Sequence, residues 1–261
     1  MSRFRSSVGR REPTHAQRAW IIGASSGIGA ALATQLLQRG AHVAVSARRA
    51  KELQALVAGH DEARVLAFDL NDRAALGRAG DDLFKVWGGI DLVVFCAGAY
   101  APMRAWQLDA NDIDRLLDIN LRAPMAAAAR LIPTLLKQGS GALAFISSVA
   151  GYRGLPKAAA YGPTKAALSN FAETLYLDLA PRGLSVFLIN PGFVATPMTA
   201  ANDFEMPALI SPQEAAEEII AGFARGSFEI HFPRRFTHWL KLLRLLPYGL
   251  YFALVRRFTR L

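Results

Sequence analysis

A tyrosine and a lysine stand four residues apart in the segment AAAYGPTKAAL, residues 158–168. The segment is rich in alanine, which favours a helix, and a helix places Tyr161 and Lys165 on one face. A phenol with a pKa of about 10 is a poor base at neutral pH, and a nearby ammonium favours its phenolate form. The pair is therefore a candidate acid–base group, although an ordinary aromatic–cation pair on a helix surface has the same spacing.

Other polar residues could assist such chemistry or bind a metal. Ser147 and Ser148 end the apolar run 142–147 and are adjacent, so a strand would direct their side chains to opposite sides. Asn120 lies within a stretch of helical spacing, where on its own it equally describes a surface asparagine. The five histidines are scattered without metal-ligand spacing, and Cys96 at a strand end fits a small buried residue, so we assign no metal.

The segment WIIGASSGIGAALATQLLQRG, residues 20–40, passes from a strand through a turn of small residues into a helix. Gly23, Gly27 and Gly29 have the spacing G-x-x-x-G-x-G, and Ser25 and Ser26 add hydroxyl donors. Absent side chains let a pyrophosphate approach the backbone, and the following helix offers free N–H groups and a positive dipole end. The alternative is a turn required only for strand–helix packing, but its place on the first strand–helix turn favours a phosphate site.

The end of the second predicted strand bears on the choice between NAD and NADP. A carboxylate there would accept hydrogen bonds from the ribose hydroxyls, whereas an arginine would pair with a 2′-phosphate. The sequence HVAVSARRAKEL, residues 42–53, has Arg48 and Arg49 at this place and no acid directly after the strand. Arg48 has a suitable reach and favours NADP(H) over NAD(H), while Arg49 can also be a solvated residue that starts a helix.

Short apolar runs alternate with longer segments of helical spacing along the chain. This alternation predicts βαβ units in a single doubly wound, mostly parallel α/β sheet of Rossmann-like type, with helices on both faces and ligands at the carboxyl ends of the strands. Pro124 and Pro133 are expected to kink or divide the longest helical segment. The predicted strands are 19–22, 42–47, 65–68, 91–95, 142–147 and 184–189, and the predicted helices are 28–39, 72–87, 112–137 and 161–180.

The net charge of +9 is concentrated at the two ends of the 261-residue chain. Residues 1–18 carry five arginines and one glutamate, and residues 231–261 carry six arginines and one lysine without any acid, which leaves a net −2 for 19–230. A basic nucleic-acid face on the main body is therefore not supported, and we expect no nucleic-acid partner. One cysteine, no apolar stretch after the charged start and no spanning apolar run favour a cytoplasmic protein.

The last segment, RRFTHWLKLLRLLPYGLYFALVRRFTRL, combines apolar, aromatic and basic residues. Thr237, Lys241 and Arg244 recur at helical spacing among apolar residues, and Pro247 ends or bends that helix before a second apolar segment. An apolar face with basic residues and interfacial aromatics is typical of a helix lying in an anionic membrane surface, which predicts peripheral membrane contact through 236–261. The alternative is a helical pair that packs on the sheet or on a second subunit.

In their order along the chain, these motifs resemble those of the short-chain dehydrogenase/reductase family over about residues 17–230. The glycine turn is similar to the family's T-G-x-x-x-G-x-G, with Ile22 in place of the threonine. FCAG at 95–98 is similar to N-N-A-G, with Phe95 and Cys96 in place of both asparagines. FDL at 68–70, DIN at 118–120, ISSVAG at 146–151, YGPTK at 161–165 and NPGFVAT at 190–196 match the remaining motifs.

The resemblance implies hydride transfer between a nicotinamide and a carbonyl or secondary alcohol. Tyr161 would be the general acid/base, Lys165 would also bond the ribose, and Asn120 would hold a water in a proton relay. The family's serine stands thirteen residues before its tyrosine, which selects Ser148 to bond the reacting oxygen. The expected cofactor-binding residues are Gly23, Ser25, Ser26, Gly27, Ile28, Gly29, Arg48, Asp69, Leu70, Ala97, Gly98, Tyr161, Lys165, Pro191, Gly192, Val194 and Thr196.

Three regions are thus expected along the chain. They are a basic, flexible tail (1–16), a catalytic domain (17–230) and a basic amphipathic helical extension (231–261). Residues 197–211 correspond to the family's substrate lid, and their apolar side chains suggest an apolar or lipid-like carbonyl/alcohol substrate. A homodimer or homotetramer is expected, and the alternatives to an enzyme are a non-catalytic NADP sensor and a membrane-surface scaffold on the same fold.

Overall fold

Seven strands form one sheet in the computed structural model, which describes residues 18–202 and 204–259. The strand order is β3-β2-β1-β4-β5-β6-β7, and every neighbouring pair runs parallel. The order reverses between β1 and β4, which opens a crevice at their carboxyl ends. The strands are β1 Arg18–Ile22, β2 His42–Ser46, β3 Arg64–Val65, β4 Leu92–Phe95, β5 Ala142–Ile146, β6 Ser185–Pro191 and β7 Glu229–Phe232.

Helices cover both faces of this sheet, which confirms the predicted doubly wound fold class. Alternation along each strand sends neighbouring side chains to opposite faces, so that Ile21 packs with α1 and α7 while Trp20 packs with α3 and α5. The helices are α1 Gly27–Gln38, α2 Ala50–Leu56, α3 Arg73–Trp87, α4 Ala110–Leu117, α5 Ala123–Gln138, α6 Tyr161–Leu179, α7 Pro212–Ala224, α8 Arg234–Arg244 and α9 Tyr248–Thr259.

The predicted helix 112–137 is divided into three parts. A π-helical segment, Asp118–Arg122, separates α4 from α5. Pro124 lies in the first turn of α5, where its missing N–H costs no helical hydrogen bond, whereas Pro133 lies inside α5 without ending it. The division therefore falls before Pro124, and it places a wider turn at Asn120.

The C-terminal extension begins later than its predicted start at 231. Strand β7 pairs with β6 as far as Phe232. Its side chains alternate, with Ile230 and Phe232 buried and Glu229 and His231 partly exposed. The extension then consists of α8 and α9, with the break at Pro247. Among the described helices, none combines the length and the apolar character that crossing a membrane requires. The expected tail at 1–16 lies outside the described residues.

Candidate active site

One cleft runs along the carboxyl ends of β1, β2, β4, β5 and β6. It gathers most of the residues that the sequence motifs singled out, from the glycine turn at one end to the serine–tyrosine–lysine group at the other. Gly29 and Asn120 are the two predicted site residues that do not line it. The predicted residues on its wall are Gly23, Ser25, Ser26, Gly27, Ile28, Arg48, Asp69, Leu70, Ala97, Gly98, Ser148, Tyr161, Lys165, Pro191, Gly192, Val194 and Thr196.

Two of the turn glycines are explained by packing alone. Gly23 has a φ of +99°, and a Cβ built there would lie 2.2 Å from the Ala97 nitrogen. A Cβ at Gly29 would lie 2.3 Å from the Gly23 carbonyl oxygen, so α1 approaches the turn only because position 29 has no side chain. Packing thus requires glycine at both positions, and the expected contact of this turn with a pyrophosphate stays a prediction.

The start of α1 is suited to an anion. The helix begins at Gly27, its N-cap Ser26 makes no side-chain capping bond, and its first turn carries no acidic residue. The first backbone N–H groups of a helix have no intrahelical acceptor and add to the positive end of the dipole. Since Gly27 and Ile28 line the cleft, these donors are available to a phosphate bound there.

Arg49, for which a solvated position at the start of a helix was the alternative, lines the cleft. Its Nη2 donates to Ser25 Oγ at 2.8 Å and to Ser26 Oγ at 3.1 Å, and its Nη1 lies 3.6 Å from Glu52. The guanidinium is thus held beside the glycine turn, where it adds positive charge to the helix start. Arg48 also lines the cleft. The adjacent pair RR was visible in the sequence, but the contact with the turn serines depends on the fold.

The two adjacent serines separate as strand alternation predicts. Ser147 is buried, and its hydroxyl donates to the Lys165 carbonyl oxygen at 2.9 Å, which anchors α6 to β5. Ser148 is hydrogen-bonded to the hydroxyl of Tyr161, the first residue of α6, and both line the cleft. The Tyr100 ring contacts the Tyr161 ring edge-on, with centroids 4.9 Å apart.

The pKa values of the tyrosine and the lysine move in opposite directions. Burial raises the pKa of Tyr161 to about 12, against a smaller lowering by the Ser148 hydrogen bond. Burial also lowers the pKa of Lys165 to about 8. The lysine Nζ donates to the Ile146 carbonyl oxygen at 2.9 Å and lies 5.7 Å from the Tyr161 ring centroid. The pKa of the phenol is thus set by desolvation and is raised, which differs from the lowering expected from the nearby ammonium.

Asn120 is fully buried behind the cleft. Its Oδ1 accepts from the Ala99 backbone nitrogen at 2.8 Å, and its Nδ2 donates to the Ala99 carbonyl oxygen at 2.9 Å and to Thr164 Oγ1 at 3.1 Å. The side chain thus joins the loop after β4 to the first turn of α6, which carries Tyr161 and Lys165. These bonds fix the first turn of α6 against the loop after β4, and the expected water relay through Asn120 stays a prediction.

The loop after β4 leaves room for a flat group in front of the lysine. A Cβ at Gly98 would point between Asn120 Oδ1 at 3.5 Å, Met198 Cε at 3.6 Å and Lys165 Nζ at 3.8 Å. A side chain at this position would occupy the cleft beside the lysine. Cys96, two residues earlier, keeps its proton because burial raises the pKa of its thiol to about 12, so it behaves as a small apolar residue.

The loop after β5 and the end of β6 are joined to the C-terminal extension by a polar cluster around Glu229 of β7. Glu229 accepts hydrogen bonds from the Tyr152 hydroxyl at 2.6 Å, from Asn190 Nδ2 at 2.9 Å and from Lys241 Nζ at 2.7 Å. Burial by itself would raise the pKa of Glu229, but these three donors lower it below its usual value. The carboxylate thus connects α8 to residues next to Ser148 and Pro191.

An open parallel sheet with a glycine turn beside its switch point defines a Rossmann-like α/β protein. The family model described as "short chain dehydrogenase" matches residues 17–206. An "Uncharacterized oxidoreductase" of Myxococcus xanthus is 36% identical over 246 residues, covering 92% of this chain and 96% of the relative. The chain belongs to the short-chain dehydrogenase family.

Two solved structures resemble the chain with a TM-score of 0.75. One is described as a short-chain dehydrogenase from Streptomyces avermitilis, which is 25% identical, with 85% of this chain and 91% of the other covered. The second is described as a ribose-5-phosphate isomerase from Brucella melitensis, which is 27% identical, with 82% and 90% covered. Family membership makes the protein an oxidoreductase for a small-molecule substrate and implies an NAD(P) cofactor for hydride transfer.

Proposed function

We propose that this protein is an NADP(H)-dependent oxidoreductase that interconverts a carbonyl compound and a secondary alcohol. The observation that carries the proposal is the convergence of Ser148, Tyr161 and Lys165 on one wall of the cleft. A buried phenol bonded to a serine hydroxyl can hold the same substrate oxygen from two sides. The anion-binding start of α1 and the flat opening at Gly98 fit the two ends of a dinucleotide.

The cofactor supplies the hydride donor or acceptor, and the side chains of this chain handle the proton. Tyr161 donates its hydroxyl proton to the carbonyl oxygen during reduction and removes it from the alcohol during oxidation. Ser148 donates a hydrogen bond to the same oxygen as negative charge develops. Lys165 is placed to bond the ribose hydroxyls. Because burial raises the pKa of Tyr161 to about 12, the phenol is protonated at neutral pH and suits the reductive direction.

The NADP(H) preference rests on the arginines that follow β2. Arg48 and Arg49 line the cleft beyond the strand end, and the strand itself ends in Ser46 without a carboxylate that could hold ribose hydroxyls. A guanidinium pairs with a phosphate through two parallel hydrogen bonds. We assign the 2′-phosphate to this pair, with Arg49 held closer to the glycine turn.

The substrate is proposed to be apolar or lipid-like because of the side chains beside the acid–base group. Met198 lines the cleft and is partly exposed, and Phe204 and Leu209 in the segment that follows are also exposed. Phe193 packs against Phe204 with centroids 5.8 Å apart. This apolar wall would desolvate a hydrophobic substituent next to the carbonyl.

Two or more copies of the chain are proposed to associate through the outer face of α5 and α6. Leu177 is 72% exposed, and Tyr176 and Met125 are also exposed, so these two neighbouring helices present apolar side chains outward. Burial of such side chains in a symmetric interface is favourable.

The experiment that tests this function is NADPH oxidation with a panel of aldehydes, steroids, quinones and 3-ketoacyl thioesters. Tyr161→Phe should eliminate turnover and leave NADPH binding intact, because only the proton donor is lost. Tyr100→Phe is the matched control, since it removes a hydroxyl from the ring packed against Tyr161. Turnover that survives Tyr161→Phe would refute the proposed acid–base role. Tight NADPH binding without turnover of any carbonyl would favour a non-catalytic sensor.

A further inference from the structure

We infer that α8 and α9 dock the protein onto an anionic lipid bilayer. The two helices leave large apolar side chains that no described part of the chain covers, and we call the surface that these side chains form the docking surface. Seven large apolar side chains there are half exposed or more. They are Trp239, Leu242, Leu245, Tyr248, Leu250, Phe252 and Phe258.

The inner sides of the same helices are fixed to the catalytic domain. Thr237 is fully buried and bonds His231 Nδ1 at 2.6 Å, and Lys241 pairs with Glu229 at 2.7 Å. Trp239, Leu242 and Leu245 are exposed on or directly after the same helix and take no part in these contacts. The exposed apolar side chains thus belong to a firmly placed element, which distinguishes this surface from a frayed end.

Arg153 holds the junction between the two helices. Its Nη1 donates to the carbonyl oxygens of Leu243 at 3.1 Å and Leu246 at 2.7 Å, which closes the end of α8. The guanidinium carbon lies 4.1 Å from the Tyr251 ring centroid and 4.7 Å from that of Tyr248. The junction is therefore supported from the loop that begins just after Ser148.

The docking surface continues toward the substrate side of the cleft. Phe236 of α8 packs on Phe193 with centroids 5.7 Å apart, and Phe193 packs in turn on Phe204. These rings form an apolar path from α8 to the segment that we propose contacts the substrate. If the proposed function holds, a bilayer under this surface would also present apolar substrate to the cleft.

The positive charge of residues 231–261 favours an anionic partner for the docking surface. Residues 231–261 contain six arginines, one lysine and no acid. Arg235, Arg244, Arg256 and Arg257 are exposed around the docking surface. A symmetric dimer through this surface would place basic groups against basic groups, which is unfavourable. Anionic lipid headgroups supply the complementary charge, and the acyl region receives the exposed aromatic and leucine side chains.

Vesicle sedimentation with the full-length protein tests this inference. The protein should pellet with vesicles of equal parts phosphatidylcholine and phosphatidylglycerol at low ionic strength, and should remain in solution with phosphatidylcholine alone. Arg256→Glu/Arg257→Glu should weaken partitioning by at least about 30-fold, since each basic residue near such a surface contributes about 1 kcal/mol. Leu242→Ser/Leu245→Ser should weaken it by roughly tenfold or more.

Matched controls are available near the amino ends of the strands, away from α8 and α9 in the chain. Lys137→Glu/Arg182→Glu makes the same charge change on exposed residues there, and Val86→Ser removes an exposed apolar side chain. These variants should partition like the wild type. Equal losses in the controls, or no sedimentation with the anionic vesicles, would overturn the inference. It would also be overturned if Leu242→Ser/Leu245→Ser dissociated an oligomer and left vesicle binding unchanged.

Vesicle binding requires neither cofactor nor turnover, so its outcome is independent of the proposed reaction. NADPH oxidation with a soluble aldehyde should be equal in the four variants and the wild type. Vesicle binding without any oxidation would leave the docking inference standing and remove the proposed function. Oxidation without vesicle binding would remove the docking inference and leave the proposed function standing.

Discussion

The two arginines that follow β2 differ in what they touch. Arg49 bonds both serines of the glycine turn, whereas Arg48 lines the cleft without such a bond among the described side-chain contacts. The guanidinium nearer the turn is better placed for a phosphate on the ribose, because its direction is already fixed by two hydrogen bonds. Pairing of this kind strengthens binding without entering the proton transfer.

We therefore expect Arg49→Gln to raise the KM for NADPH by about 10- to 100-fold, because one charge-assisted contact with the phosphate is lost. The kcat should change little. The KM for NADH should be nearly unchanged, because NADH has no 2′-phosphate. Arg48→Gln is the matched variant and should have the smaller effect. Steady-state kinetics with both cofactors measures the difference. Equal losses for NADPH and NADH would contradict this assignment.

The acid–base group should have a pH profile set by its lysine. Burial lowers the pKa of Lys165 to about 8, so its positive charge is present below that pH and lost above it. Tyr161, with a pKa of about 12, keeps its proton over the same range. The kcat/KM for NADPH during carbonyl reduction should therefore fall as the pH rises through about 8, since this parameter reports groups of the free enzyme. A kcat/KM that stays constant from a pH of about 8 to about two pH units higher would contradict this prediction.

For single residues, the sequence was sufficient to predict the relative positions that follow from helix or strand spacing. Tyr161 and Lys165 are adjacent on α6 because four residues make about one helical turn, and alternation separates Ser148 from Ser147. The pKa of Tyr161 could not be predicted in the same way. Its direction depends on how deeply α6 is buried and on where Lys165 Nζ points, which are properties of the packed structure.

Among the elements, the π-helical segment between α4 and α5 bears most directly on the site. It directs Asn120 inward, where the side chain satisfies both backbone groups of Ala99 and contacts Thr164 of α6. Wider turns of this kind are frequent at functional sites. Because the segment connects the cofactor loop to the acid–base helix, a defect here should affect stability and activity together.

Asn120→Ala should lower the free energy of unfolding by about 2–4 kcal/mol, because it leaves the buried Ala99 N–H and C=O without partners. Asn111→Ala on the exposed side of α4 is the control and should change stability by less than about 0.5 kcal/mol. Denaturant unfolding measures both variants. The assignment of Asn120 as a bridge would be wrong if the two substitutions had the same effect.

The elements that sequence patterns did not predict have specific causes. Strand β3 pairs over only Arg64–Val65, although an apolar run continues to position 68. Strand β7 was missed because polar Glu229 and His231 alternate with Ile230 and Phe232, so that it lacks a continuous apolar run. Helix α7 was also missed, although the capping box of Ser211 and Glu214 marks its start.

For the whole molecule, the outer face of α5 and α6 is the proposed subunit contact. Leu177→Glu places a charge at the most exposed large apolar side chain of that face and should shift the protein toward the monomer. Val86→Glu, on an exposed part of α3, should leave the oligomeric state unchanged. Sedimentation equilibrium measures the mass of each variant. A wild type that is monomeric at micromolar concentration would exclude this contact.

The fold of the whole molecule was predictable because its evidence is repeated along the chain. Each strand–helix unit recognised in the sequence is separate evidence for a parallel sheet. Missing α7 and β7 therefore did not change the predicted fold class. The packing of α8 and α9 was not predictable in this way. It depends on single partners such as Arg153, which lies far from the extension in sequence, and Glu229 in the strand that the sequence patterns did not predict.

Arg153 links the loop beside Ser148 thermodynamically to the helical pair α8 and α9. The residue that closes α8 belongs to the same loop as Tyr152 and follows Ser148 by five positions. Any ligand that orders this loop must stabilise the seating of the helical pair, and any surface that grips the pair must tighten the loop by the same free energy. A ligand that orders the loop after β5 should therefore change the affinity of the helical pair for a surface, and the reverse should hold by the same factor.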